Sequence, residues 1–189
     1  MNFRMVLVSL LSVLCCSCSS HEPLPVTWEQ LIRQLYAPES LADISQPCTE
    51  IRTSYDRSGG NNDYNNGYKD LGDGWLELAD FKGPGVMTRF WFTGMKRETR
   101  FRFIFDDEIE PRLEATCDAF FKGESGLPES FNSADQYCFH TGFPVPYQKR
   151  LRILVSDEGF SQGKGKLFFQ INAVPLRSRT VSSATFPVP

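Results

Sequence analysis

Between Thr53 and Gly67 the chain concentrates side chains that grip hydroxyl groups: Asp56, Arg57, Asn61, Asn62, Asp63, Asn65 and Asn66, around the pair Gly59-Gly60. Carboxylates accept hydrogen bonds, amides donate and accept, and a guanidinium donates in a fixed fork. Such a set on a glycine-bent loop suits a ligand that is itself a cluster of hydroxyls, a sugar. Glycine lets backbone approach such a ligand closely. Asn, Asp and Gly also form turns through their own backbone hydrogen bonds, so composition alone leaves both readings open. Calcium is the rival ligand. Aligning the EF-hand pattern on Asn61, Asp63 and Asn65 puts Asn66 where glycine is required and Gly72 where a bidentate Glu belongs, and the pattern fails.

Other reactive side chains are sparse. His140, beside Cys138, has the chemistry of a general base, but no Ser or Cys nucleophile motif accompanies it, so an ordinary loop histidine is the competing reading. Glu124 and Glu129 fall in a Gly-, Pro- and Ser-rich stretch and carry no catalytic signature. Cys48, Cys117 and Cys138 contain no C-x-x-C unit, which argues against zinc. They allow one disulfide, with Cys117 and Cys138 flanking the same loop region, or buried free thiols. Nothing in the sequence calls for a cofactor.

The elements that must hold these residues are mostly strands. Thr27-Trp28-Glu29-Gln30 has the form of a capping box, and Trp28, Leu31, Ile32 and Leu35 follow the helical period, which predicts one short helix ending near Tyr36. From Asp70 the period becomes two. Leu76 and Leu78 alternate with Glu77 and Ala79, and Gly83-Pro84-Gly85 makes a turn. Val86, Thr88, Phe90 and Phe92 then alternate with Met87, Arg89, Trp91 and Thr93. Phe101, Phe103 and Phe105 oppose Arg100, Arg102 and Ile104. Leu151, Ile153 and Val155 oppose Arg150, Arg152 and Leu154, and Leu167, Phe169, Ile171 and Ala173 form a last strand. Short strands separated by turns predict an all-β fold, an antiparallel jelly-roll β-sandwich with one short N-terminal helix. Gly123 to Tyr147 loses periodicity and reads as a long connection. Residues 177–189 show no packing pattern and read as a tail.

Composition limits the partners. The 189 residues carry 20 Lys and Arg against 23 Asp and Glu, a net charge of -3, which gives no electrostatic footprint for nucleic acid. With 41% hydrophobic residues and sixteen Phe, one packed core is feasible. Arg4 followed by the mainly apolar run Met5 to Leu14, too short to span a bilayer, reads as a targeting segment over residues 1–17. Ser17-Cys18 is similar to a bacterial lipoprotein cleavage site, with Cys18 the residue that would be lipidated, Cys16 second, and plain secretion the alternative. The expectation is export, with the membrane touched only through that lipid. A tether and the helix would occupy 18–50, and a sandwich 51–176.

Several segments, in order, carry a family resemblance. Ser54-Tyr55-Asp56-Arg57-Ser58-Gly59-Gly60-Asn61 with Asp63, and then Leu78-Ala79-Asp80-Phe81-Lys82-Gly83-Pro84-Gly85-Val86-Met87-Thr88-Arg89-Phe90-Trp91, resemble the opening of glycoside hydrolase family 172, formerly domain-of-unknown-function family 2961. Phe103-Ile104-Phe105-Asp106-Asp107 is similar to that family's strand ending in an Asp-Gly-type turn, although Glu108 follows here. Gly142-Phe143-Pro144-Val145-Pro146-Tyr147 and Phe168-Phe169-Gln170-Ile171 resemble its later segments. The resemblance implies two tandem jelly rolls, trimer-based assembly, and retaining exo-hydrolysis of α-D-fructofuranosides or α-D-arabinofuranosides in oligo- or polysaccharides. Retention requires two carboxyl groups about 5 Å apart, a pair expected in the second jelly roll, before which this sequence stops. The expectation is therefore a first jelly roll inactive alone, or a non-catalytic glycan-binding module held by a lipid. On that resemblance Asp56 and Asp63 accept from sugar hydroxyls, Arg57 and Asn61 donate to ring or hydroxyl oxygens, and Trp91 serves as a stacking face or as packing.

Overall fold

Two antiparallel sheets face each other across a core made largely of phenylalanine. The computed structural model describes residues 25–37, 48–135, 138–158, 160, 165–176 and 180–187; the expected leader and Cys18 lie outside them. The strands are β1 (Glu50–Thr53), β2 (Lys69–Asp70), β3 (Trp75–Lys82), β4 (Gly85–Thr93), β5 (Arg100–Phe105), β6 (Leu113–Thr116), β7 (Asn132–Ala134), β8 (Cys138–Thr141), β9 (Val145–Tyr147), β10 (Arg150–Ser156) and β11 (Phe168–Pro175). One sheet runs β1-β11-β4-β8-β7, with β9 also paired to β4, and the other runs β2-β3-β10-β5-β6. This is the expected all-β sandwich.

The alternation read from the sequence sets the inner faces. Phe90 and Phe92 of β4 point inward with no exposed surface. Phe90 meets Phe101 at 5.0 Å and Phe103 at 5.8 Å between ring centroids, and Phe92 meets Phe101 at 4.8 Å, Phe121 at 5.2 Å and Phe139 at 5.2 Å. Offset and edge-on contacts of this kind add to the gain from removing each ring from water. Opposite them, Leu151, Ile153 and Val155 of β10 are fully buried, and Phe169, Ile171 and Ala173 of β11 complete the core.

Two bulges break the simple period. The β3–β10 register shifts between Ile153 and Leu154, which leaves Leu78 as an extra residue, so that Leu78 and Ala79 are both buried. On β4 the register with β11 passes from Arg89 to Met87, which leaves Thr88 unpaired. Met87 therefore faces the core with Phe90 and Phe92, while Val86 joins Val26, Leu31 and Val181 in a separate cluster. The expectation that Val86 and Thr88 share the face of Phe90 is corrected by this added residue, since each bulge inverts the parity of everything beyond it.

The helix α1 (Trp28–Leu35) forms where the capping box places it. Gln30 N–H donates to the Thr27 hydroxyl and Thr27 N–H donates to the Gln30 side-chain oxygen. Trp28 stacks on Phe143 at 4.8 Å. The Gly123 to Tyr147 connection is more ordered than its composition implied: it contains a 3-10 turn at Glu129–Phe131 and strands β7, β8 and β9. Just before it lies a second helix, α2 (Cys117–Phe121), capped by the Thr116 hydroxyl, which drives Phe120 and Phe121 into the core.

The C-terminal segment also differs from the expected tail. Arg112 donates to the carbonyls of Ser183 and Ala184, the Ser183 hydroxyl donates to Asp106, and Ala184 N–H donates to the Pro146 carbonyl. Ala184 is fully buried and Phe186 meets Phe105 at 6.1 Å. Cys48, Cys117 and Cys138 are free thiols, so the considered Cys117–Cys138 bridge is not formed. Burial pushes the Cys117 thiol up to about 12, which leaves it protonated and inert.

On the outer face of the second sheet, Arg150 grips Asp80 through two hydrogen bonds of 2.7 and 2.8 Å, Arg152 donates to Glu77, and Arg100 and Arg102 share Glu114. The Arg150 hydrogen bonds hold the Asp80 carboxyl down at about 2. A depressed carboxyl stabilises the fold fully above about pH 4, and the contribution is lost as pH falls toward 2. Asp80→Asn is therefore expected to cost about 1 kcal/mol at pH 7, a value discounted for solvent screening, and nothing below pH ~2; urea titrations of both proteins at the two pH values measure this. Phe92→Ala, which opens a void beside four rings, is expected to cost about 3–5 kcal/mol in the same assay.

Candidate functional site

The outer face of the first sheet carries the second parity class of β4. Because Phe90 and Phe92 are inside, Arg89, Trp91 and Thr93 face out. Register places Thr53 of β1 beside Gln170 of β11, Gln170 beside Trp91, and Trp91 beside His140 of β8. Two residues further along, on the same face, Ile51, Asn172 and Arg89 form a parallel row. Trp91 is half-buried, and its indole N–H donates to the Cys138 sulfur at 2.9 Å.

The loop from Ser54 to Gly67 is fastened at two points, to β11 and to the residues just before it. Ser54 N–H donates to the Phe169 carbonyl and Phe169 N–H donates to the Ser54 hydroxyl, both at 3.1 Å. Asn65 imitates a strand partner: its N–H donates to the Leu167 carbonyl at 3.1 Å, while its side-chain oxygen accepts from Leu167 N–H at 2.9 Å. Its amide also donates to the Gly165 carbonyl at 2.7 Å. Asn65 holds φ at 53°, a left-handed conformation that asparagine tolerates best among residues with a Cβ. Gly67, at φ 70°, packs so close that a Cβ there would lie 2.2 Å from the Thr53 carbonyl oxygen. Only glycine fits.

Within this frame Asp56 works on the loop itself. Its carboxylate accepts from Ser58 N–H at 2.9 Å, the Ser58 hydroxyl at 2.6 Å and Asn62 N–H at 3.2 Å, and the residue is only 8% exposed. The Ser58 hydroxyl first, then the two backbone amides, hold its pKa below the ordinary carboxylate value. Asp63 closes the turn from the other side, accepting from Asp56 N–H at 2.7 Å. Arg57 and Asn61 sit exposed on the outer turn and make no hydrogen bond with the described residues.

Between loop and sheet lies a cleft of about 300 Å³ lined by Thr53, Ser54, Tyr55, Asp63, Trp91, Phe168, Phe169 and Gln170. It unites two of the residues singled out in the sequence, Asp63 and Trp91, from positions 28 residues apart. Asp56 is not in its wall, nor are Arg57 and Asn61. The cleft offers aromatic surface from Trp91, Phe168 and the 55% exposed Tyr55, a carboxylate from Asp63 and an amide from Gln170. Tyr55 and Gln170 had signals that were not used: Tyr55 belongs to the loop motif, and Gln170 must face outward once Phe169 and Ile171 face the core. His140 lies on strand β8, not in a loop, across from Trp91, and burial followed by the nearby Arg89 charge lowers its pKa.

The family model described as the GH172 first beta-sandwich domain matches residues 47–186. The chain belongs to glycoside hydrolase family 172. The match spans all eleven strands, the Thr53–Gly67 loop, the cleft and the packed segment that ends at Phe186, while α1 lies before it. A search of curated proteins gives no match. Membership makes this chain the N-terminal sandwich of a glycoside hydrolase family, and in this sandwich the cleft brings aromatic surface and hydrogen-bonding groups together.

Asp56→Ala removes the only side chain among the described residues that holds the Ser58 and Asn62 amides. Those amides are expected to exchange with solvent about tenfold faster or more in the variant, while β4 and β10 amides keep their protection; hydrogen-exchange mass spectrometry resolves the two regions. Since the pKa of Asp56 is lowered, the wild-type loop should loosen in the same way as pH falls below the ordinary carboxylate range.

Proposed function

We propose that this sandwich is the sugar-recognition part of an exported, retaining glycoside hydrolase acting on furanosides, and that a furanose ring of an oligo- or polysaccharide seats in the cleft between the Thr53–Gly67 loop and the outer face of the first sheet. One observation carries the reading: Trp91 from a strand and Asp63 from a loop, distant in sequence, wall the same 300 Å³ space. A sugar ring has apolar faces of C–H bonds and a rim of hydroxyls. Trp91 and Phe168 supply surface for the first, and Asp63 and Gln170 supply an acceptor and a mixed donor and acceptor for the second. Arg57 and Asn61, at the loop's exposed turn, reach units of the glycan beyond the cleft. Asp56 contributes by holding the loop.

The cleft wall holds one carboxylate. Retaining hydrolysis requires two, about 5 Å apart, so the same geometry supports a module that binds without cleaving. Export, with Cys18 carrying a lipid, rests on the targeting segment, and a trimer rests on the family resemblance. Both belong to the same proposal.

Calorimetry with methyl α-D-arabinofuranoside and methyl α-D-fructofuranoside tests it. Binding is expected, with Trp91→Ala and Asp63→Ala each weakening it by about tenfold or more while far-ultraviolet circular dichroism stays unchanged. Absence of heat with both sugars would remove the cleft from the reading. The corresponding p-nitrophenyl furanosides are expected to show no turnover by this chain; turnover would place the catalytic carboxylates within it.

A further inference from the structure

Two arginines among the described residues lack an acid partner. Arg33, Arg52, Arg97, Arg100, Arg102, Arg112, Arg150 and Arg152 are all ion-paired. Arg57, at the exposed loop turn, needs no partner because water solvates it. Arg89 is different. It is half-buried on the outer face of β4, and its Nε is buried with no hydrogen-bond partner. A buried donor left unpaired on a charged group carries an appreciable free-energy cost, and an arginine retained at that cost is suited to an anion that arrives from outside.

The surroundings define that anion. Across from Arg89 on β11 stands Asn172, whose side-chain oxygen already accepts from the Gln170 amide at 3.0 Å. Its own amide group is left to donate. On the other side, one step past the last β4–β8 pair of Phe90 with Thr141, comes Gly142, where an added Cβ would meet only the His140 ring carbon at 3.7 Å. No side chain of Gly142 therefore fills the β8 side of the row that holds Arg89. The neighbouring ionisable groups add no second positive charge at neutral pH: burial and Arg89 itself both favour the neutral form of His140. One planar fork with a single charge, flanked by amide donors, matches a carboxylate in charge and geometry better than a doubly charged phosphate. Gln170 joins this notch to the furanose cleft, because it lines the cleft and bonds Asn172.

We propose that Arg89, with Asn172 and Gln170, binds a carboxylate carried by the glycan, so that the preferred ligand of this face is an acidic sugar rather than a neutral one. This rests on the cleft reading above and adds the substrate class. The assignment pairs the unsatisfied Nε and places the ligand's acid beside the ring seated against Trp91.

The test compares methyl α-D-arabinofuranoside with its furanosiduronate, in which the exocyclic CH2OH is oxidised to a carboxylate, by calorimetry on the full chain at pH 7. The uronate is expected to bind about tenfold more tightly in 50 mM salt, with the advantage shrinking in 500 mM salt. Arg89→Met should abolish the advantage and leave the neutral furanoside unaffected. Asn172→Asp, which places a fixed carboxylate opposite the guanidinium, should abolish it independently. Equal affinities for the two sugars, or an advantage that survives both variants, would overturn the proposal while leaving the furanose cleft in place. Binding of neither sugar would overturn both. Self-association that disappears in Arg89→Met, without uronate binding, would assign Arg89 to a protein carboxylate and also overturn it.

Discussion

Phe90 and Phe92 on β4 constrain everything else in this molecule. They are the rings through which the first sheet touches β5 and α2, and through which β4 packs on Phe139 of its neighbour β8, and a strand offers only two faces. Once both rings are inside, Arg89 and Trp91 have no choice but to face out. The bulge at Thr88 sharpens the constraint, since it lets Met87 enter the core without displacing Phe90. The outer face of the first sheet is thus the complement of the core, and its residues are selected by the packing of their neighbours.

The loop is fixed by the same strand that completes the sheet. Leu167 and Phe169, whose side chains are buried, use their backbone groups to hold Asn65 and Ser54. Core packing on one side of β11 and loop attachment at its edge are therefore one cooperative unit. Asp56 then spends its carboxylate on Ser58 and Asn62, which brings Asp63 round to the cleft. Two acids seven residues apart differ in their use: the one with three internal donors shapes the loop, and the one with a single internal donor leaves lone pairs open toward the cleft.

Much of the fold was legible because inner-face residues keep period two wherever no bulge intervenes, as on β5 and β10. Bulges escaped because an extra residue such as Leu78 or Thr88 has no compositional mark. The helix α2 escaped because five residues hold too little of a helical period to register, though its Thr116 cap was visible in principle. Residues 180–187 looked unpatterned because they are held by Arg112, Asp106 and the Pro146 carbonyl, bonds that leave no periodic trace. In the loop, residue types announced hydroxyl chemistry, but which acid faces inward depends on bonds to backbone amides that the sequence does not display. The order of the segments identified the family where their composition could not.

Charge is distributed unequally between the two outer faces. On the second sheet each arginine is matched: Arg150 by Asp80, Arg152 by Glu77, and Arg100 and Arg102 by Glu114. Those acids are spent. A carboxylate locked to a guanidinium is held ionised and low in pKa, as Asp80 is, and is a poor proton donor for glycoside cleavage. The first sheet instead leaves Arg89 unmatched, keeps Asp63 facing a cleft, and surrounds both with aromatic and amide groups. A face that forgoes internal pairing gives up stability there, and the free donors and acceptors that remain are the ones a ligand can satisfy. The asymmetry separates a face of matched charges from the face proposed for recognition, and it follows from which residues the core left outside.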